Sequence, residues 1–214
     1  MQEISFSYSP VATTIFVLTI LLSVFGFKRQ FFLDKMLFAP YKVYHQKKWF
    51  LLITSGFVHN DLFHLLFNMI TFYFFAFDLE IAIGSLNFTI IYFGSLILSH
   101  LLTLFKNKNN YTYRSLGASG AISGVIFGSI LIHPTQKMII MPIPFPLPSV
   151  IFGIAYLIWC RLATNRANDN INHEAHFSGA IAGVILMILL ESQRIILIWK
   201  ALFLGLLLFF GLLN

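Results

Sequence analysis

Hydropathy constrains this chain before any motif does. Seven apolar stretches follow one another: Val11–Phe27, Phe57–Phe77, Leu86–Phe105, Gly117–Ile132, Pro148–Leu162, Ala175–Leu190 and Ile195–Leu213. A helix needs about 20 mostly apolar residues to cross hydrocarbon, with a working range near 17–25. Within lipid every backbone polar group needs an internal partner, and a helix supplies them all. The fourth, fifth and sixth stretches are short, which is tolerated where their ends line a water-filled cavity. Composition agrees: 58% of the 214 residues are hydrophobic and 10% charged, against roughly 25% charged in soluble domains. Mean hydropathy is +0.82, and in water such a surface would form aggregating apolar patches. The expected architecture is an all-α polytopic membrane helix bundle, with residues 1–214 forming one domain and no internal repeat.

The connections are short, with one exception. Lys28–Gly56 mixes Lys28, Arg29, Lys35, Lys42, Lys47 and Lys48 with Phe31, Phe32, Tyr41, Tyr44, Trp49 and Phe50. That mixture suits the headgroup zone, so a partly helical loop on the membrane surface is expected. The run Met141–Pro148 alternates prolines and reads as an extended lead-in, with Pro148 as a first helical residue. Net charge is +6, but the basic residues sit in short loops between apolar runs, so no nucleic-acid partner is expected. Cys160 is the single cysteine; it excludes an internal disulfide and reads as a small buried hydrophobe. The first apolar run has neither a basic stretch before it nor a small-residue cleavage site after it, so it reads as a retained anchor.

Polar groups are expensive inside a membrane, and those that open an apolar stretch mark a functional site by default. Ser119 lies in Gly117-Ala118-Ser119-Gly120, at the head of the fourth stretch. Gly120, Gly124 and Gly128 recur every four residues after it, and Gly179 and Gly183 repeat the device in the sixth stretch. Such stripes let two helices approach closely. If these two meet, Ser119 and His176, three residues before Gly179, come together at the helix ends. A serine nucleophile needs a base about 2.6–3.2 Å away. The plainer alternative is a glycine-packed helix pair with an incidental serine and histidine. Ser123 is a rival nucleophile one turn deeper. In the second stretch His64 and Asn68 are four apart and share a face. Two donors aimed at one point can hold an oxyanion; otherwise they are an interhelical hydrogen-bond pair. His59, five residues earlier, is expected to point elsewhere, as a loop residue or one that supports the other side chains. His173-Glu174-Ala175-His176 is one residue short of H-E-x-x-H, and no third ligand is evident, so neither metal nor cofactor is expected. Glu174 and Asp169 are expected at the surface, leaving a Ser-His dyad without an orienting acid.

With these residues assembled, the chain resembles the rhomboid intramembrane serine proteases. The resemblance rests on G-x-S-G at Gly117–Gly120, on His59, His64 and Asn68 spaced as H-x-x-x-x-H-x-x-x-N, and on Ala175-His176-x-x-Gly179-x-x-x-Gly183. Glu80 falls where rhomboids carry a structural glutamate. The resemblance implies a six-helix core, about 8–192, plus a seventh C-terminal helix, about 195–213. It implies Ser119 as nucleophile, His176 as base, His64 and Asn68 as oxyanion donors, and single-pass transmembrane proteins as substrates in a bilayer, with a bacterial cell membrane as the expected location. Two departures stand out. Many rhomboids carry Trp-Arg in the first loop, whereas Trp49 precedes Phe50. Some carry a tyrosine four residues after the serine, stacked on the histidine, whereas this chain has Ser123. The alternative on the same scaffold is a non-catalytic chaperone or adaptor; such relatives generally lack the Ser-His pair.

Overall fold

The computed structural model describes residues 7–138, 145–164 and 172–209. Helix α1 (Pro10–Phe27) is followed by three short helices, α2 (Gln30–Met36), α3 (Pro40–Gln46) and α4 (Leu51–Thr54). The long elements are α5 (Leu62–Asn107), α6 (Ser119–Ile132), α7 (Ser149–Ala163) and α8 (His173–Phe209). Between α6 and α7 two residues on each side pair antiparallel, β1 (Lys137–Met138) with β2 (Leu147–Pro148). Each of the seven apolar stretches falls largely on helix. The expected surface segment contains α2–α4. Pro148 differs from expectation: it pairs with Lys137, keeps ψ at 138°, and α7 starts one residue later. Of the proline run, Met141–Pro144 lie outside the described residues.

α5 carries two apolar stretches because it doubles back. Gly84 leaves helical geometry at φ 79°, a left-handed conformation that favours glycine. The rings of Phe72 and Tyr92 then lie 5.8 Å apart, although twenty residues of straight helix would separate them by roughly 30 Å. α8 likewise carries two stretches, on either side of Glu191, which leaves helical geometry at φ −126°. The Glu191 carboxylate accepts from Asn87 Nδ2 at 2.8 Å, joining the two bends.

Glu80 fixes α1 against this frame. Its carboxylate is 1% exposed and accepts from the backbone N–H of Val11 (3.1 Å) and Ala12 (2.6 Å) and from Ser85 Oγ (2.6 Å). First-turn N–H groups have no intrahelical acceptor, and the helix dipole favours an anion there. α6 is the centre of the bundle: every residue from Gly120 to Ile130 is buried. This is why fourteen residues suffice: its ends meet protein rather than lipid. The outer faces are apolar, with Leu21, Ile154, Leu189, Leu197 and Phe203 all exposed. An apolar exterior around a buried, small-residue centre is an integral membrane bundle.

Candidate active site

The glycine stripes of α6 and α8 face each other. A Cβ on Gly179 would stand 2.9 Å from the carbonyl carbon of Gly120, and one on Gly183 would stand 2.7 Å from that of Gly124. The backbones are therefore in direct contact at two points one turn apart. This contact sets the register of the two helix starts. A Gly120 Cβ would lie 3.7 Å from the Ala175 carbonyl oxygen; Ser119 precedes Gly120 and His176 follows Ala175. Ser119 is the first residue of α6 and His176 lies in the first turn of α8, and both are half-buried.

α5 brings His64 to the same end. Asp61 caps that helix, its Oδ1 accepting from the His64 N–H at 2.8 Å. The imidazole of His64 lies over Gly117: a Cβ there would be 2.8 Å from Cε1 and 2.9 Å from Nε2. Gly117 also holds φ at 115°, so any side chain there is excluded twice, by the ring and by the backbone. Asn68, one turn on and 7% exposed, donates from Nδ2 to the His64 carbonyl at 2.9 Å. An amide nitrogen carries a second N–H for another acceptor.

His59 packs against the same end of the bundle, as a loop residue. It lies in the loop before α5, outside the spanning helix, and is fully buried. Its Nε2 accepts from the Ala118 N–H at 3.3 Å, and its Nδ1 lies 3.0 Å from Ser23 Oγ. Ser23 Oγ in turn donates to the Phe57 carbonyl at 3.1 Å. Only one tautomer satisfies the chain: Nδ1 carries the proton and donates to Ser23. The His59 and His64 rings meet edge to face at 4.9 Å. Burial, reinforced by His64 and opposed by Asp61, pushes the His59 pKa down to about 3, so the ring stays neutral and able to accept. Gly117 is tied on its other side, its N–H donating to the Ser55 carbonyl at 2.9 Å. The backbone just before Ser119 is thus held at two consecutive residues.

α7 supplies what the departure at Ser123 leaves open. Tyr156 lies parallel to His176, with ring centroids 6.5 Å apart and planes 13° apart. Its hydroxyl is 3.0 Å from Ser123 Oγ. The tyrosine absent from the turn after Ser119 is thus met by one from a neighbouring helix, and the residue in its place anchors that helix's ring. Ser123 is 2% exposed and engaged with Tyr156, as befits a packing residue. Cys160, one turn after Tyr156, stands with His173 and His176. Glu174 is half-buried, 3.4 Å from Lys106; Asp169 lies outside the described residues.

The structure brings Gly117, Ser119, His64, Asn68 and His176 to one end of the bundle. Tyr156 and Cys160 are the additions that spacing alone did not assign. A half-buried serine at one helix start, a histidine at the adjoining helix start and polar side chains from a third helix thus gather at one end of a membrane bundle. Residues 46–193 match the Rhomboid domain. The chain is 32% identical over 156 residues to the putative rhomboid protease YdcA of Bacillus subtilis, covering 69% of this chain and 70% of that protein. It is 28% identical over 137 residues to the mitochondrial Rhomboid protein 1 of Saccharomyces cerevisiae, and 26% over 149 residues to the mitochondrial RHOMBOID-like protein 12 of Arabidopsis thaliana. Each of those two matches covers 63% of this chain, but only 40% and 44% of the longer relatives. The chain belongs to the rhomboid family.

Proposed function

We propose that the chain is an intramembrane serine endopeptidase acting on single-pass transmembrane proteins near the membrane surface. The observation that carries this reading is the backbone contact of α6 with α8, which starts Ser119 and His176 at one level beside His64. Ser119 Oγ attacks the scissile carbonyl carbon while His176 takes its proton, the pair acting as nucleophile and base. Charge then develops on the carbonyl oxygen. His64, the second N–H of Asn68 and the first-turn N–H groups of α6, which lack intrahelical acceptors, are the available donors. The C–N bond breaks as His176 returns the proton to the leaving amine. Water, deprotonated by the same ring, then releases the acyl group from Ser119. Neither step draws on a cofactor. The Bacillus relative, matched over 70% of its length, favours a bacterial cell membrane as the location.

Labelling by a serine-reactive fluorophosphonate, with digestion of a panel of tagged single-pass proteins, tests the reading. Ser119→Ala abolishes both while the protein stays folded in detergent; Ser123→Ala keeps most of both. Loss in Ser123→Ala with activity in Ser119→Ala would overturn the assignment. A folded wild-type chain that neither labels nor cleaves is a non-catalytic adaptor or chaperone.

A further inference from the structure

We propose that Cys160, His173 and His176 form a zinc site that holds the protease off. One ligand atom from each residue lies within 4.8 Å of the other two. Cys160 comes from the last turn of α7 and the two histidines from the first turn of α8, three residues apart on one face. Zn–S near 2.3 Å and Zn–N near 2.0–2.1 Å put tetrahedral ligand atoms about 3.3–3.6 Å apart. The three must therefore close by roughly an ångström, within reach of one side-chain rotation each. A thiolate with two imidazoles is a borderline-soft set; it selects zinc over magnesium or calcium, which take oxygen ligands. Cys160 and His173 are buried, whereas His176 is half-buried, so an ion enters from the Ser119 side. Aromatic rings pack against both imidazoles: Trp159 meets His173 edge-on at 4.7 Å, and Tyr156 lies parallel to His176.

Binding is an acid–base step without redox change. The Cys160 thiol loses its proton to water, the Zn–S bond forms, and each imidazole gives one lone pair to the metal. A metal-bound imidazole keeps its proton on the other nitrogen, so His176 can no longer accept from Ser119. Three protein ligands leave a fourth position for water. The binding site stands on its own geometry; the inhibitory effect rests on His176 acting as the base of the proposed protease.

The test uses the full chain in detergent and two probes, Co²⁺ and Zn²⁺. Cobalt is expected to bind one ion per chain with a thiolate charge-transfer band that Cys160→Ser abolishes. His173→Ala is expected to weaken binding at least tenfold. Zinc is expected to lower the cleavage rate at least tenfold, a chelator to restore it, and each variant to need at least tenfold more zinc for half-inhibition. No band, or binding unchanged in both variants, overturns the site. Stoichiometric zinc with an unchanged cleavage rate overturns the inhibition. Cobalt bound through Cys160 in a chain that never reacts with fluorophosphonate, chelated or not, supports the site and sinks the protease reading instead.

Discussion

Gly179→Ala is the sharpest perturbation this fold offers, because one methyl group meets backbone rather than side chain. It would stand 2.9 Å from the Gly120 carbonyl carbon and closer still to its oxygen. Ordinary contact begins near 3.4 Å, and no rotamer change relieves a clash between two main chains. α6 and α8 must therefore separate by roughly an ångström, at an overpacking cost of about 1–3 kcal/mol. The same displacement moves Ser119 away from His176, and an ångström of misplacement lowers a rate by about 10²-fold. Gly183→Ala belongs to the same class. Gly128→Ala is milder, since its methyl would meet Leu79 Cδ2 at 3.1 Å and Met187 Cγ at 3.2 Å, side-chain rather than backbone atoms. Gly205→Ala is the control: nothing lies within 4 Å, and alanine favours helix by about 0.8–1.0 kcal/mol. The assay is thermal unfolding in detergent alongside cleavage of one substrate. The expected order of apparent Tm is Gly205→Ala at or above wild type, then Gly128→Ala, then Gly179→Ala lower by roughly 5 °C. A Gly179→Ala protein that melts and cleaves like wild type would refute the register on which the site rests.

Three further outcomes follow from particular contacts. His59 is held below its ordinary pKa of 6.5, at about 3; the unfolded chain takes up a proton as pH falls through the ordinary value while the folded chain does not. Stability is thus complete above about pH 6.5 and falls by about 1.4 kcal/mol per unit below it. His59→Gln, compared by Tm between about pH 7.5 and 5, should show a shallower slope, and an identical slope would remove His59 as its source. His64→Ala and Asn68→Ala should each lower the cleavage rate by about 10²–10³, whereas His176→Ala should match Ser119→Ala, since nucleophile and base act as a unit; complete loss in His64→Ala with an active His176→Ala would exchange their roles. Tyr156→Leu should lower kcat with little change in KM, by loosening the His176 ring, and a KM effect alone would place Tyr156 at the substrate instead.

Much of this was legible in the sequence because membranes make hydropathy a strong signal. The seven apolar stretches became helix, and the Gly120–Gly124 and Gly179–Gly183 stripes predicted their own contact. His64 and Asn68 were found because a helix returns to one face every fourth residue. For His59 the same rule gave a supporting or loop residue, and a loop residue it is. Counting helically from His64 sends its ring elsewhere, but α5 starts at Leu62, and loop dihedrals turn the ring toward Ala118. Asp61, three residues before His64, was the available sign that a helix begins there. Tyr156 and Cys160 illustrate a different limit. Periodicity shows that they share a face of α7; it does not show which neighbour that face meets. Their place beside His176 depends on how α7 is rotated against α8, which no spacing within either segment records.

The side of the membrane on which the site opens is where two arguments diverge. Lys28, Arg29, Lys35, Lys42, Lys47, Lys48, Lys106, Lys108, Arg114, Arg161 and Arg166 lie on the active-site face by sequence; Lys137 and Arg194 lie on the other, and Lys200 falls inside the last apolar stretch. Basic loops tend to stay in the cytosol, which would place the site there. Bacterial rhomboids typically open their site to the outside. Five of these cations have partners that do not depend on the side. Arg29 lies 4.8 Å over Phe25, Lys35 4.1 Å over Phe31, Lys47 5.5 Å over Tyr44, and Lys108 4.9 Å over the same ring. The Arg114 guanidinium donates to the Tyr111 and Tyr113 carbonyls. Cations over aromatic faces within about 6 Å, at the level where helices emerge, suit the headgroups of either leaflet. Anchoring of this kind offers an account of the charge bias, and with it the family orientation is the expected one. Asn109 is exposed on that face, so Asn109→Cys in a Cys160→Ala background reports on it. A membrane-impermeant maleimide should label intact cells; labelling only after lysis would turn the site toward the cytosol and restore the charge rule as the stronger argument.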